Sequence, residues 1–213
     1  MKIHICNDNK VFPFLYVDDW YTPEEEKLIW KELDFYSNPT TMHRTEDANE
    51  ADGKGAAKNK DGTSKNKAWR LYLDTTYAQR EVSHILRLQL LKMSSDKIQD
   101  AIEETGPNFR LYRSTNYDEM LVNYYEDGDQ YESHFDHFML TVICWFYRTP
   151  KSYTGGDLTF TDTDVTLECN HNRMVMFPSY YLHAVQPIKM EGQFDVMGWG
   201  RYAIENFYCK AIR

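Results

Sequence analysis

The hydrophobic pattern divides the chain in two. Up to about residue 106 apolar positions recur mainly at helical spacing; from Phe109 onward they come in short runs separated by turn residues. Phe12-Pro-Phe-Leu-Tyr-Val17 is apolar enough for a first strand. Thr22-Pro23-Glu24-Glu25 then reads as a helix start. Thr22 suits the N-cap, Pro23 the first helical position, and Glu25 closes a capping box, with carboxylates at the positive end of the helix dipole. Ile29, Leu33 and Tyr36 share one helical face, and Pro39 lies just past its end. Ala68–Asp74 predicts a strand. Val82, Leu86, Leu90 and Met93 predict the buried face of a helix beginning near Gln79. Ser94-Ser95 breaks it, and Asp96–Thr105 continues as helix until Gly106-Pro107.

Strands are predicted at Phe109–Arg113, Met120–Tyr125, Gln130–Phe135, Met139–Tyr147, Gly156–Phe160, Val165–Cys169, Met174–Phe177, His183–Pro187 and Gly200–Lys210. Turn chemistry separates them at Asp127-Gly128, Thr154-Gly155-Gly156, Asn170-His171-Asn172 and Pro178-Ser179. Many short strands with polar turns predict a jelly roll. The expected fold class is α+β, a jelly-roll core with N-terminal supporting helices. With 213 residues the chain is expected to form one domain, helical support mainly in 18–106 and jelly roll mainly in 109–210.

Residues 46–67 contain no large apolar side chain and cannot bury enough surface to offset their ordering entropy. They are expected to form a solvated, mobile loop; the sharper alternative is a lid that orders over substrate. No apolar run is long enough to span a membrane, and the N-terminus lacks the apolar stretch of a secretory signal. Cys6, Cys144, Cys169 and Cys209 show no CxxC pairing, which fits reduced thiols and a cytoplasmic setting. A formal net charge of −9 counts against docking on nucleic-acid phosphates.

The candidate chemistry begins at His134 and Asp136, two residues apart at the end of an extended run. On a strand such residues point the same way and offer two metal ligands. His183, in Tyr181-Leu-His183-Ala-Val, is the candidate third. Two His and one carboxylate make the facial triad of non-haem Fe(II) oxygenases. The same three ligands also suit Zn in a non-catalytic jelly-roll binding module, and an ordinary polar pair on a strand is the blander alternative. His137 is expected to face away from Asp136. Arg201 opens a strand otherwise apolar and aromatic. Pointing inward it would need an anion, and guanidinium matches a carboxylate, such as the far end of a dicarboxylate co-substrate. Pointing outward it would be a surface ion pair. Glu205 shares a strand face with Arg201 and Ala203. It either grips a cationic or hydroxyl-bearing substrate from inside or is turned to solvent by a bulge.

With these residues in hand, the chain resembles the Fe(II)/2-oxoglutarate dioxygenases, in their prolyl 4-hydroxylase-like branch. The spacing Tyr-x-x-Gly-x-x-Tyr-x-x-His-x-Asp is met by Tyr125, Gly128, Tyr131, His134 and Asp136. Gly155-Gly156-Asp-Leu-Thr-Phe160, Arg173-Met-Val-Met-Phe-Pro178 before His183, and Arg201-Tyr-Ala-Ile complete the series. The resemblance covers Met120 to Tyr208 and, more weakly, the start at Phe14. It implies a double-stranded β-helix in which His134, Asp136 and His183 hold Fe(II), Arg201 pairs with 2-oxoglutarate, and Tyr125 hydrogen-bonds to it. It also implies O2 as co-substrate, ascorbate as reductant, and hydroxylation of an unactivated C–H with succinate and CO2 as co-products. By branch, the substrate is expected to be a prolyl residue in a peptide or protein; a free amino acid or small metabolite is the alternative. The spacing from His183 to Arg201 is wider than is usual in the family, so residues 188–199 must form an extra hairpin or bulge. If they cannot, Lys189 competes as the anchor.

Overall fold

The computed structural model describes residues 1–7, 12–47 and 57–211. Its architecture is α+β, three layers deep. A large antiparallel sheet lies between a helical layer and a smaller antiparallel sheet. The large sheet has the strand order β1-β2-β12-β8-β15-β6-β5-β3. Its members are β1 (Lys2–Cys6), β2 (Phe14–Asp18), β3 (His43–Arg44), β5 (Trp69–Tyr72), β6 (Tyr117–Tyr125), β8 (Leu140–Phe146), β12 (Arg173–Pro178) and β15 (Arg201–Cys209). The smaller sheet runs β11-β10-β13-β7-β4. It holds β4 (Asn66–Lys67), β7 (Gln130–His134), β10 (Leu158–Phe160), β11 (Val165–Leu167) and β13 (His183–Val185). A separate pair joins β9 (Tyr153–Gly155) to β14 (Ile188–Met190).

The central strands are buried on both faces, which explains their near-continuous apolar sequences. Along β8, Val142, Cys144 and Phe146 pack with the helices, while Ile143 and Trp145 pack toward the smaller sheet. Strand β15 sends Tyr202 and Ile204 to the helical side and Ala203 to the other. Period-two alternation therefore sorts two apolar cores rather than a core and a wet face.

The helical layer comprises α1 (Pro23–Tyr36), α2 (Leu73–Thr76), α3 (His84–Met93) and α4 (Asp96–Thr105). Helix α1 starts with the expected capping box between Thr22 and Glu25, and Ile29, Leu33 and Tyr36 are buried. Its Glu32 is buried too, accepting hydrogen bonds from Ser83 Oγ and the His84 N–H at the start of α3. A carboxylate there satisfies an orphan donor and favours the positive helix end.

Several expectations are corrected. Phe109–Arg113 is not a strand but part of a 3-10 stretch, Pro107–Ser114, with only Phe109 buried. Val82 and Leu90 are 63% and 64% exposed, because α3 begins at His84 and turns Ile85, Leu86, Leu88, Gln89 and Met93 inward. Strand β1 pairs only with β2 and was not anticipated. Of the expected loop 46–67, residues 48–56 lie outside the described residues. The following stretch is largely exposed turn, as expected of a solvated loop, but its end is tied down: β4 pairs with β7 and Asn66 is fully buried.

The end of the chain is pinned by one close approach. A Cβ on Gly200 would stand 2.0 Å from the Tyr125 carbonyl oxygen. Gly200→Ala is expected to lower stability by about 1–3 kcal/mol through overpacking, read as a lower denaturant midpoint.

Candidate metal centre and co-substrate pocket

Strands β7 and β13 are antiparallel neighbours, and their register sets His183 directly opposite His134. The two imidazole centroids are 4.2 Å apart. Asp136 reaches the same point, but not by strand alternation as expected, since β7 ends at His134. It sits in the turn that follows, where its N–H donates to the Ser179 carbonyl at 2.9 Å. Thr141 Oγ1 donates to Asp136 Oδ2 at 2.7 Å and fixes the carboxylate.

The proton positions on both rings follow from their partners. His134 Nδ1 lies 2.9 Å from the Glu132 carbonyl oxygen, and His183 Nδ1 lies 2.8 Å from that of Tyr181. A carbonyl only accepts, so each Nδ1 carries the hydrogen and each Nε2 presents a lone pair. Those Nε2 atoms stand 3.7 Å and 3.6 Å from the two oxygens of Asp136. The candidate ligand atoms all lie within 4.8 Å of one another. Burial, then the neighbouring His183, holds the His134 pKa well below its ordinary value, which keeps the ring neutral. Two imidazoles oriented by carbonyls and one carboxylate form a donor set that fits a divalent metal.

Arg201 opens β15 opposite Tyr125 and is 1% exposed. The extra length before it is absorbed by β14 and a bend-rich segment, 191–200, so Arg201 is carried inward despite the wide spacing. Lys189 on β14 is exposed. The Arg201 guanidinium stacks over the Tyr125 ring at 4.4 Å. Its Nη1 donates to the Gly156 carbonyl and lies 3.4 Å from Cys169 Sγ. Gly156 has a positive φ of 77°, and a Cβ there would meet Ile188 at 3.0 Å, so glycine permits that approach. No carboxylate pairs with Arg201 among the described residues. Its Nε is buried without a hydrogen-bond partner, as are the hydroxyls of Tyr125 and Tyr153. Three orphaned donors around a buried cation fit a carboxylate-bearing ligand. Tyr124, by contrast, is committed to structure: its hydroxyl accepts from the Gly198 and Gly200 N–H groups, both at 3.0 Å.

Glu205 points inward. Strand β15 is in unbroken register with β6 and β8 through this position, which removes the bulge alternative. Burial pushes its carboxyl up to about 7 against the pull of Arg70 and the Asn123 hydrogen bond. A cavity of about 400 Å³ opens between Asp136 and Glu205. His137 is exposed, also lines this cavity, and is not part of the metal cluster. Sequence reasoning passed over Arg70, which is buried on β5 and lines the same cavity. The signal was present, an Arg inside the apolar strand Trp69-Arg70-Leu71, the same kind of signal that marked Arg201.

Residues 120–209 match the 2OG-Fe(II) oxygenase superfamily. A PKHD-type hydroxylase of Gloeothece citriformis is 24% identical over 121 residues, 52% of this chain and 55% of that protein. One from Rippkaea orientalis is 31% identical over 91 residues, 38% of this chain and 41% of that protein. The chain thus spans about half the length, or less, of these curated relatives. A crystal structure of a Pseudomonas putida prolyl-4-hydroxylase superposes with TM-score 0.57 at 15% identity, covering 97% of both chains. A Trichoplax adhaerens prolyl hydroxylase, solved with a hypoxia inducible factor oxygen degradation domain peptide fragment, gives 0.62 at 14% identity, covering 96% of this chain and 86% of that one. The fold is that of the prolyl 4-hydroxylase-like jelly rolls, a double-stranded β-helix. The chain resembles the 2OG-Fe(II) oxygenases in that branch. That superfamily uses Fe(II), 2-oxoglutarate and O2, and in this chain His134, Asp136 and His183 form a cluster that could hold a metal ion.

Proposed function

We propose that this chain, a relative of the 2OG-Fe(II) oxygenases, hydroxylates an unactivated C–H bond. The observation that carries the reading is a buried, anion-less Arg201 with unmatched Tyr hydroxyls in the same barrel as a His-Asp-His cluster. A structural metal site has no use for that anchor. His134, Asp136 and His183 would hold Fe(II) through two Nε2 atoms and a carboxylate oxygen. Arg201 would pair with the far carboxylate of 2-oxoglutarate, and Tyr125 would donate a hydrogen bond to it. With those groups bound, the site supplies an oxidation in which substrate C–H, O2 and 2-oxoglutarate become C–OH, succinate and CO2. Burial keeps the His134 ring neutral for metal binding, and the hydrogen bond from Thr141 holds the carboxylate in place.

The prolyl hydroxylase neighbours, one with a peptide bound, support a prolyl residue in a peptide or protein as the first candidate substrate. A free amino acid is a second reading, favoured by the charged floor of the cavity at Glu205. The domain is read as a single catalytic unit. Cys144, Cys169 and Cys209, present as thiols, support a cytoplasmic setting. No helix among the described residues is long and apolar enough to cross a membrane.

Purified protein with Fe(II), ascorbate and 2-oxoglutarate should form succinate, with a one-oxygen mass gain in the substrate. No succinate with any candidate substrate would favour a non-catalytic binding module. Tyr125→Phe is expected to raise the KM for 2-oxoglutarate roughly 2–10-fold, the worth of one hydrogen bond, in steady-state succinate assays.

A further inference from the structure

The cavity beside Asp136 has a floor that the proposed metal and co-substrate chemistry does not use. Its walls include Tyr72, Tyr131, Phe138 and Phe207, and its floor carries Arg70 and Glu205. Three neighbouring strands build that floor. Asn123 on β6 faces Arg70 on β5 and Ala203 on β15, with Glu205 two residues farther along β15. The Asn123 amide bridges the charged groups. Its oxygen accepts from Arg70 Nε at 2.8 Å, and its nitrogen donates to Glu205 Oε1 at 2.7 Å. No ion pair joins Arg70 to Glu205 directly.

Each charged group therefore keeps one free side. Arg70 Nη2 and Glu205 Oε2 make no hydrogen bond among the described residues, although the side chains are only 5% and 8% exposed. The two charges offset one another across Asn123, while these two atoms stay open toward the cavity. A ligand that pairs with both carries an anion and a cation a short distance apart. Glu119, opposite Phe207 on the same cavity, adds a second carboxylate. A volume of about 400 Å³ suits a small molecule. An in-chain prolyl residue offers neither charge, since its nitrogen is a tertiary amide and its carbonyl is neutral.

Against the prolyl candidate that the fold neighbours suggest, we infer that the substrate is a free α-amino acid, its carboxylate on Arg70, its ammonium on Glu205, and its side chain against the aromatic wall toward Asp136. This rests on the oxygenase reading above. The reaction is unchanged: one C–H of the amino acid becomes C–OH while 2-oxoglutarate and O2 yield succinate and CO2.

The test is calorimetric binding of the standard L-amino acids, and of their N-acetyl amides, to protein loaded with Mn(II) and 2-oxoglutarate. At least one free amino acid should bind, and its capped form should bind roughly a hundredfold more weakly, as when a buried charge loses its partner. In Glu205→Gln the preference for the free over the N-acetylated form should shrink roughly tenfold or more. Circular dichroism checks that the variant is folded, and the wild-type comparison stands without it. Capped forms or proline-containing peptides binding as well as free amino acids would overturn the inference and leave the oxygenase reading intact. Binding of neither class would overturn it too. A free amino acid that binds selectively but triggers no succinate with Fe(II) would uphold the pocket assignment and remove the oxygenase.

Discussion

Asp136→Ala is expected to abolish both metal binding and succinate formation, with activity down roughly a thousandfold or more, about 4 kcal/mol of barrier. The carboxylate is the only formally charged donor in the cluster, and it lies between two imidazoles whose Nε2 atoms both face it. Without it, two imidazoles on adjacent strands remain, a weak site for a hard divalent ion. The binding half can be measured apart from catalysis. A metal at a hundred times its Kd stabilises a folded protein by about 2.7 kcal/mol. Wild-type protein should show that rise in Tm with Mn(II), and the variant should show none. If Asp136→Ala still gains stability from metal and still forms succinate, the carboxylate is not a ligand.

The parts of this site that were legible in the sequence share one property: they announce themselves locally. Thr22 and Glu25 cap a helix within a single turn, and the structure has both reciprocal bonds. His134, Asp136 and Tyr125 fall in one short motif. Arg201 stood out because a charge in an apolar strand demands a reason. What was hidden depends on contacts between distant segments. Asp136 converges with the histidines only because Ser179 and Thr141 hold the turn after β7. Leu90 lies on the predicted apolar face of its helix, but the true face is set by the Ser83 cap, which accepts from the Leu86 N–H at 3.1 Å. The 3-10 stretch after Gly106 imitates a strand, since Phe109, Leu111 and Arg113 alternate with other residues, yet Leu111 is 46% exposed. Arg70 was missed for a related reason. Its importance arises from Asn123 and Glu205 on neighbouring strands, a partnership that no window along the chain contains.

Arg201→Met tests the other end of the proposed site, and its signature differs from that of the metal ligand. Methionine keeps much of the length and burial but removes the charge. The KM for 2-oxoglutarate is expected to rise by about 30–1000-fold, the range for losing one partner of a buried charge pair, 2–4 kcal/mol. Succinate formation at saturating 2-oxoglutarate should fall far less, and stabilisation by Mn(II) should persist because the three ligands are untouched. Stability without co-substrate carries further information. Arg201 is buried with no carboxylate partner among the described residues, so an apolar replacement removes a desolvation penalty that offsets the lost hydrogen bond to the Gly156 carbonyl, and the unliganded protein should lose little stability. Wild-type protein, by contrast, should gain stability when 2-oxoglutarate is added and the variant should not. Arg201→Lys restores a charge without the planar fork, so it should recover only part of the affinity. An unchanged KM for 2-oxoglutarate in Arg201→Met would mean that the buried guanidinium serves the Gly156 carbonyl and Cys169 alone.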